Sequence, residues 1–388
     1  MRITWVARSF LDYRVPVYIG LNSLCNNQLT LIYNGDKVPE RVQKKIKAVL
    51  GERAISLTNE FRLQTFGSAN EAMANHGFSI PYHPKLIKEI RKSQPDVIVS
   101  DGFLKWTYAS LWIRAFNIKG IKHVMCYERT SHTERNAGFL RTIYRKFASI
   151  WIDAIDCNGI LTINYVTKQL GYKKILTTGH MAADTDGLIK SIEKTPQTEV
   201  DIIKKKYNLS ELTFIYVGRL IKLKGIMEML YAWDEANLPN TSLMLVGDGN
   251  QREEIERYVK EHALTSVKIV GAIDYDLIAA YYKAANCFII PTLEDNWSLV
   301  VPEAMSCGLP ILCSIYNGCW PELVRKENGW TFDPLDTSSL VQALKNSYQA
   351  KDKLSEMGQQ SKKIVAHYTP QHGAQGIYNA CLKVLNKQ

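Results

Sequence analysis

The sequence predicts an α/β fold built from two doubly wound parallel-sheet domains facing across a cleft. Three observations predict it. The chain has 388 residues, too many for one ordinary domain and comfortable for two. Short, almost wholly apolar, β-branched runs alternate with longer amphipathic segments, as parallel strands covered on both faces by helices would. The alternation pauses once, over the polar, proline-bearing stretch 181–210, and this places a domain boundary near 182.

The elements follow in order. In the first domain, 1–182, strands are expected at RITWVA (2–7), LTLIY (29–33), DVIVS (96–100), KHVMCY (122–127), GILTI (159–163) and KILTT (174–178). In the second, 183–367, they are expected at TFIYVG (213–218), SLMLVG (242–247), SVKIVG (266–271), CFIIP (287–291) and PILCS (310–314). Between them lie helical patterns such as NQREEIERYVKEHAL (250–264) and YDLIAAYYKAAN (275–286). A last helical pattern covers 368–388. Sheets of this kind bind ligands at the carboxyl ends of their strands.

Composition narrows the class. Hydrophobic residues make up 46% and charged residues 22%, as in an ordinary globular protein rather than a disordered or repetitive one. The net charge is +10, and it is unevenly placed. Residues 1–180 hold 26 Lys or Arg against 13 Asp or Glu, a balance of +13; residues 181–388 hold 22 against 25, a balance of −3. A basic field of this kind attracts nucleic acid, acidic lipid head groups or a phosphorylated substrate. No nucleic-acid-binding motif accompanies it, so nucleic acid is not expected as a partner. The eight cysteines form no CxxC pair and no Cys/His cluster with zinc spacing, and they read as small buried hydrophobes in a reducing compartment. No signal peptide precedes the first apolar run, and no apolar stretch reaches the roughly 18 residues that cross a bilayer. A cytoplasmic protein is expected, with at most peripheral contact with a membrane.

The chemistry gathers at strand ends of the second domain. VGRLIKLKG (217–225) brings Gly218, Arg219, Lys222 and Lys224 to the end of one strand. LVGDGN (245–250), with Gly247, ends the next, and VGAID (270–274), with Val270, ends the third. PTLEDNWSLVVPEAMSCGLP (291–310) follows the fourth. In it Glu294 and Asp295 precede a helical segment, 299–306, whose start falls near Ser298 to Val300, because Pro302 is tolerated only in a first turn. Free backbone N–H groups there suit an anion, and Asp295 and Glu303 suit hydroxyl pairs. A guanidinium and an ammonium beside them would neutralise a diphosphate.

VGRLIKLKG, LVGDG, EDNWSLVVPEAMSCGLP and PELVRKENGWTF (321–332) resemble the motifs of the retaining nucleotide-sugar glycosyltransferases of family GT4, which have the GT-B fold. The likeness is strong over about 211–335; in the first half only the strand–helix order fits. The resemblance implies two Rossmann-like domains, the C-terminal one binding the nucleotide sugar and the N-terminal one the acceptor, with the last helix packing back on the N-terminal domain. It implies that Arg219 and Lys224 hold the donor diphosphate and that Glu303, the second acid of an E-x7-E motif, meets the ribose. The first acid falls on Asp295, a shorter side chain, with Glu294 adjacent; it would meet the donor sugar. Asn296, Trp297, Ser298, Leu299 and Val300 match the loop whose amides meet the phosphates, Trp297-Ser298 standing where Phe-Gly is usual. Ala7-Arg8-Ser9-Phe10 stands where the family has two glycines. The usual N-domain histidine is replaced at the end of KHVMCY by Glu128, followed by RTSHTER, so Glu128 or His132 takes that place.

The cluster Glu128, Arg129, His132, Glu134 and Arg135 reads either as a functional loop, orienting an acceptor or binding its phosphate, or as a surface ion-pair network. His123 and His180 read as structural. SFLDYRVPVY (9–18), with Tyr13 and Arg14, either lines the acceptor cleft or is a plain turn before a helix. GFLRTIYRKFASIWIDAI (138–155) interleaves Arg141, Arg145 and Lys146 with aromatic and aliphatic residues at helical spacing. It fits a helix on an anionic membrane and equally a core helix with a basic outer face. The expected activity is retaining transfer of a sugar from a UDP- or GDP-sugar to a hydroxyl of a glycan or lipid-linked acceptor, in surface polysaccharide or glycolipid synthesis. No cofactor or metal is expected. A GT-B epimerase and a non-catalytic nucleotide-sugar-binding or partner subunit are the rivals.

Overall fold

The computed structural model describes residues 1–65, 78–103, 105–179 and 181–386. The chain divides into two compact units. The first comprises Met1–Ala182 and the segment from Pro370 onward; the second is Ala183–Thr369.

The first unit is built on β1 (Ile3–Ala7), β2 (Leu29–Asn34), β3 (Ala54–Leu57), a ribbon of β4 (Phe61–Thr65) and β5 (Phe78–Tyr82), then β6 (Val97–Asp101), β7 (Lys122–Tyr127), β8 (Ala154–Cys157) and β9 (Ile175–Thr178). The ribbon is antiparallel. The other seven strands form one parallel sheet in the order β3-β2-β1-β6-β7-β8-β9. Successive strand residues point to opposite faces, so both faces are apolar. Ile3, Trp5, Ala7, Val97 and Val99 join one core; Val6, Ile32 and Ile98 join another with Leu86, Ile90, Trp106 and Ile113. The last helix, Pro370–Leu385, belongs to this unit. Its Ala374, Ile377, Ala380, Cys381 and Val384 share the first core with Val17, Tyr18 and Leu21 of the helix Val15–Leu24. The two helices cross closely at Gly20, where a Cβ would stand 2.9 Å from that of Ala374.

The second unit holds β10 (Leu212–Val217), β11 (Thr241–Val246), β12 (Val267–Gly271), β13 (Cys287–Ile290), β14 (Ile311–Ser314) and β15 (Gly329–Phe332). They form a parallel sheet in the order β12-β11-β10-β13-β14-β15. Phe214, Tyr216, Leu243 and Ile289 pack there against Leu230, Trp233, Leu340 and Leu344. Each sheet has one point where its strand order reverses, β1/β6 in the first and β10/β13 in the second. Ligands of open α/β sheets bind outside the carboxyl ends at such points.

Three expectations are corrected. GILTI is not a strand: Ile160–Asn164 is helical, and the strand is β8, which begins in the last two residues of the helical pattern 138–155. That pattern is α-helical over Phe139–Ala148 and a 3-10 turn over Ser149–Trp151. A short apolar run does not reveal its period, and Gly159, in extended backbone, separates strand from helix. The polar stretch 181–210 is two helices, Thr185–Lys194 and Gln197–Lys206. Asp184 caps the first, accepting a hydrogen bond from the Gly187 amide at 3.1 Å, and Pro196 precedes the second; both are ordinary helix-start signals. The strands β3 and β15 and the ribbon were not anticipated. All eight cysteines are free thiols, and seven are buried. No helix among the described residues is long and apolar enough to cross a membrane.

Candidate active site

The β10/β13 edge is assembled by glycines and interlocked loops. Gly247 has φ +142, and a Cβ there would fall 1.9 Å from the Gly218 carbonyl oxygen, so the ends of β10 and β11 meet only without a side chain. The Leu220 amide then donates to the Asp248 carbonyl at 2.9 Å, and the Gln251 amide to the Leu220 carbonyl at 3.0 Å. Tyr216, inside β10, donates its hydroxyl to the Arg219 carbonyl at 2.9 Å. The Arg219 side chain is exposed, and among the described residues its guanidinium has no hydrogen-bond or ion-pair partner. Gly225, at φ +67, lets the following turn pass the β13 loop; a Cβ there would lie 2.1 Å from the Pro291 carbonyl oxygen. Thr292 Oγ1 and the Leu293 amide both donate to the Leu223 carbonyl, at 3.0 and 2.9 Å.

Lys224 and Asp295 are joined to each other by a short ion pair, their side chains 17% and 16% exposed. Asp295 also accepts from Ser298 Oγ at 2.5 Å and from the Trp297 amide at 3.1 Å. Burial opposes its ionisation, but Lys224, Ser298 and the Trp297 amide outweigh burial and hold the carboxyl below its ordinary value. The loop after β14 completes the frame. Asn317 Oδ1 accepts from the Ser298 amide at 3.3 Å, and the Gly318 amide donates to the Asp295 carbonyl at 3.0 Å. Two of the amides expected to face phosphates, those of Trp297 and Ser298, are thus engaged by Asp295 and Asn317. The amides of Leu299 and Val300, at the start of the helix Val300–Ser306, have no acceptor among the described residues. The Trp297 ring is buried, 6.5 Å from that of Tyr368; it packs the loop from inside. Glu294 is half-buried beside the pair.

Glu303 stands in a different setting. Its carboxylate accepts from the Tyr275 and Tyr282 hydroxyls at 3.4 and 3.3 Å. Burial pushes its pKa up to about 7, Asp184 adding to the rise while the two tyrosine hydrogen bonds pull against it. No hydrogen bond among the described residues ties Glu303 to Lys224 or Asp295. Val270 is half-buried in β12, whose Gly271 carbonyl accepts from the Gly247 amide at 2.8 Å.

In the first unit the β1/β6 edge encloses a cavity of about 690 Å³. Its wall unites Arg8–Leu11, Tyr13 and Arg14 after β1, Asp101–Phe103 at the end of β6, and Glu128 and Arg129 after β7, with Arg141 and Arg145 from the helix Phe139–Ala148. Tyr13, Arg14 and Glu128 therefore line one site. His132 is half-buried and is not among the lining residues; its carbonyl accepts from Arg135 Nη1 at 2.6 Å. The acidic member of that loop, Glu134, is neither surface nor mobile charge. Its side chain is fully buried, 2.6 Å from Arg145 Nη1 and 3.6 Å from Arg129 Nε. Arg145 also donates to the Tyr165 hydroxyl at 2.7 Å. Behind the wall Arg8 pairs with Glu60 through two bonds of 2.6 Å. His123 is fully buried against Ser100 Oγ and the Trp151 carbonyl, and burial lowers its pKa to about 4. It is a neutral structural residue. His180 lies outside the described residues.

Sequence reasoning missed Tyr216, Tyr275, Tyr282, Asn317 and Glu60. Tyr275, Tyr282, Asn317 and Glu60 act through contacts between distant segments, Tyr216 through one three residues on, and none stands in a motif. Among the described residues no group of three or more His, Cys, Asp and Glu is placed to hold a metal ion.

Residues 197–364 match the family model described as glycosyl transferases group 1. An uncharacterized glycosyltransferase of Haemophilus influenzae is 24% identical over 268 residues, 67% of this chain and 68% of that protein. One from Methanocaldococcus jannaschii is 22% identical over 161 residues, 40% of this chain and 45% of its own length. The glycogen synthase of Mycobacterium tuberculosis is 26% identical over 135 residues, 34% of this chain and 33% of the synthase. The chain thus matches less than half the length of two of these relatives. Among solved structures, Anabaena Alr3699/HepE in complex with UDP has a TM-score of 0.74 at 13% identity, covering 99% of this chain and all of that one. Sucrose-phosphate synthase from Thermosynechococcus elongatus has a TM-score of 0.67 at 17% identity over the whole of both chains. At such identities the likeness is one of fold, the GT-B fold of two Rossmann-like domains.

Proposed function

We propose that this chain, which carries a group 1 glycosyl transferase domain in a GT-B fold, moves a sugar from a nucleoside diphosphate sugar to a hydroxyl of a glycan or lipid-linked acceptor, retaining its anomeric configuration. One observation carries the reading. At the β10/β13 reversal Arg219, exposed and without a partner among the described residues, stands five residues before the held Lys224 and on the same sheet edge as the Leu299 and Val300 amides, which have no acceptor among those residues. Cations and amide dipoles placed where a leaving diphosphate gathers charge stabilise the transition state. Arg219 supplies bidentate hydrogen bonds and Lys224 a point charge whose position is fixed by Asp295. The bond from the anomeric carbon to the phosphate oxygen breaks as the bond to the acceptor oxygen forms on the same face, and the departing phosphate oxygen takes the acceptor proton. No protein base is needed for that step.

The exposed apolar side of the helix Phe139–Ala148 and the basic excess of the first half support a role at an anionic membrane, in surface polysaccharide or glycolipid synthesis. The test is a thermal-shift panel of UDP-, GDP-, ADP- and TDP-sugars without added metal. One nucleotide series should raise the melting temperature, since a ligand at about 100 times its Kd adds about 2.7 kcal/mol of apparent stability. No shift with any series overturns the reading.

A pH dependence follows from Glu303. In this reading the carboxylate accepts hydrogen bonds from the ribose hydroxyls, and the protonated form, uncharged and with one acceptor oxygen fewer, accepts them more weakly. Its pKa is raised to about 7, so the carboxylate is the minority form below that pH. Donor affinity should weaken as the pH falls below about 7, by up to about tenfold, and level off above it. Glu303→Gln should bind weakly at every pH, with a flat profile. Isothermal titration of the donor between pH 5.5 and 8.5, a range of about three units around the midpoint, checks both.

A further inference from the structure

We propose that the cavity at the β1/β6 edge of the first unit binds a phosphate or diphosphate group, and hence that the acceptor is an organic phosphate. This rests on the transferase reading and names the class of its second substrate.

The wall of the cavity is strongly cationic. Seven of its 19 lining residues are Lys or Arg and three are Asp or Glu. Glu60, behind Arg8, raises the opposing count to four, which leaves an excess of three positive charges. The deep members are held in place by pairing: Arg14 with Asp101 at 3.5 Å, and Arg129 and Arg145 with Glu134. At the rim, Lys37 and Lys105 are exposed, and neither has an ion-pair partner among the described residues. A rigid inner set of guanidinium groups with mobile ammonium groups outside suits a polyoxygen anion that arrives from solvent.

Four buried polar side-chain atoms of the lining residues make no hydrogen bond among the described residues: the donors Tyr127 Oη and Arg145 Nε and the acceptors Asp101 Oδ1 and Glu134 Oε1. They do not select a ligand; the excess of positive charge does. A neutral sugar would leave that excess uncompensated, and a phosphate neutralises it.

The phosphate has two sources, a soluble ester or a lipid head group. The helix that gives Arg141 and Arg145 to the cavity exposes Phe139 and Leu140 at 78% and 79%, and Phe147 at 58%. Apolar exposure beside a cationic cavity is what an anionic lipid surface would meet.

The probe is inorganic diphosphate, titrated calorimetrically into the full chain, its Lys37→Ala/Lys105→Ala variant, Arg141→Ala and Arg219→Ala. Lys37 and Lys105 are exposed, so their removal leaves the fold intact, as circular dichroism would show. The diphosphate affinity of the lysine variant should fall about tenfold or more, and Arg141→Ala should weaken it as well. A site unaffected in Arg219→Ala lies in the first unit. Unchanged affinity in both first-unit variants, or loss of all binding in Arg219→Ala alone, overturns the proposal. Vesicles of phosphatidylcholine with and without phosphatidic acid assign the source. Capture by the phosphatidic acid vesicles alone, lost in the lysine variant, means a lipid phosphate. Diphosphate binding without capture means a soluble ester. Titration with UDP reads the donor site separately, so failure of one reading leaves the other standing.

Discussion

Replacing Arg219 by alanine should lower the turnover of nucleotide sugar by about 10²–10³-fold and leave the fold as it is. The two halves of that expectation have separate grounds. The guanidinium is exposed and has no partner among the described residues, so its loss strands no buried group and removes no packing. Its contribution falls on the step in which charge gathers on the leaving diphosphate, so kcat and kcat/KM should fall together. Lys224 is a poorer probe. Lys224→Ala would leave Asp295, 16% exposed, without its cation, and a loss of activity there would mix chemistry with a disturbed loop. Turnover measured by release of nucleoside diphosphate, beside a melting curve of the same preparation, separates the effects. Turnover within a few-fold of the native chain, with an unchanged melting curve, would remove the diphosphate from this edge of the sheet.

The largest effect on stability is expected at Glu134. Glu134→Ala should destabilise the first unit by about 3–5 kcal/mol, because it leaves a buried guanidinium without its counter-charge. The carboxylate is fully buried and the Arg145 side chain is 5% exposed. With Glu134 gone, the Tyr165 hydroxyl is the partner that stays on Arg145 Nη1, and a hydroxyl does not neutralise a cation. Arg135→Ala, an exposed neighbour in the same loop, should cost less than about 1 kcal/mol. Urea denaturation of both variants measures the contrast. Near-equal midpoints would mean that the Glu134–Arg145 pair does not hold the loop after β7.

Much of this organisation is legible in the sequence because it depends on short-range pattern. Apolar runs such as TFIYVG and SLMLVG can only be buried strands in so regular an alternation, and a parallel sheet brings their following loops to one edge. Arg219, Lys224 and the loop 294–300 are therefore placed together without any knowledge of contacts. The same holds for Tyr13 and Arg14, which follow the first strand and line the cavity of the first unit. What was not legible depends on partners distant in the chain. Lys224 and Asp295 are 71 residues apart and meet only because Gly225 admits the Pro291 carbonyl. The raised pKa of Glu303 comes from burial beside Tyr275 and Tyr282, residues that read as ordinary helix aromatics. Glu134 fits a surface ion-pair network because charged residues are almost never fully buried unless paired, and its partner Arg145 sits on the helix that follows the loop. The misplaced strand at 159–163 has a simpler origin: four apolar or β-branched residues satisfy either period, and the neighbouring stretch 154–157, with Asp156 in its middle, looks less like a strand than it is.

The central claim is that the cations at the β10/β13 edge drive departure of a nucleoside diphosphate with retention. Its most direct test is proton magnetic resonance of the sugar released from, or transferred out of, the nucleotide sugar that stabilises the chain, followed from the first turnover. The account predicts a first product with the anomeric configuration of the donor, formed by the native chain and not by Arg219→Ala. A first product of inverted configuration, or one formed equally well by Arg219→Ala, would contradict it.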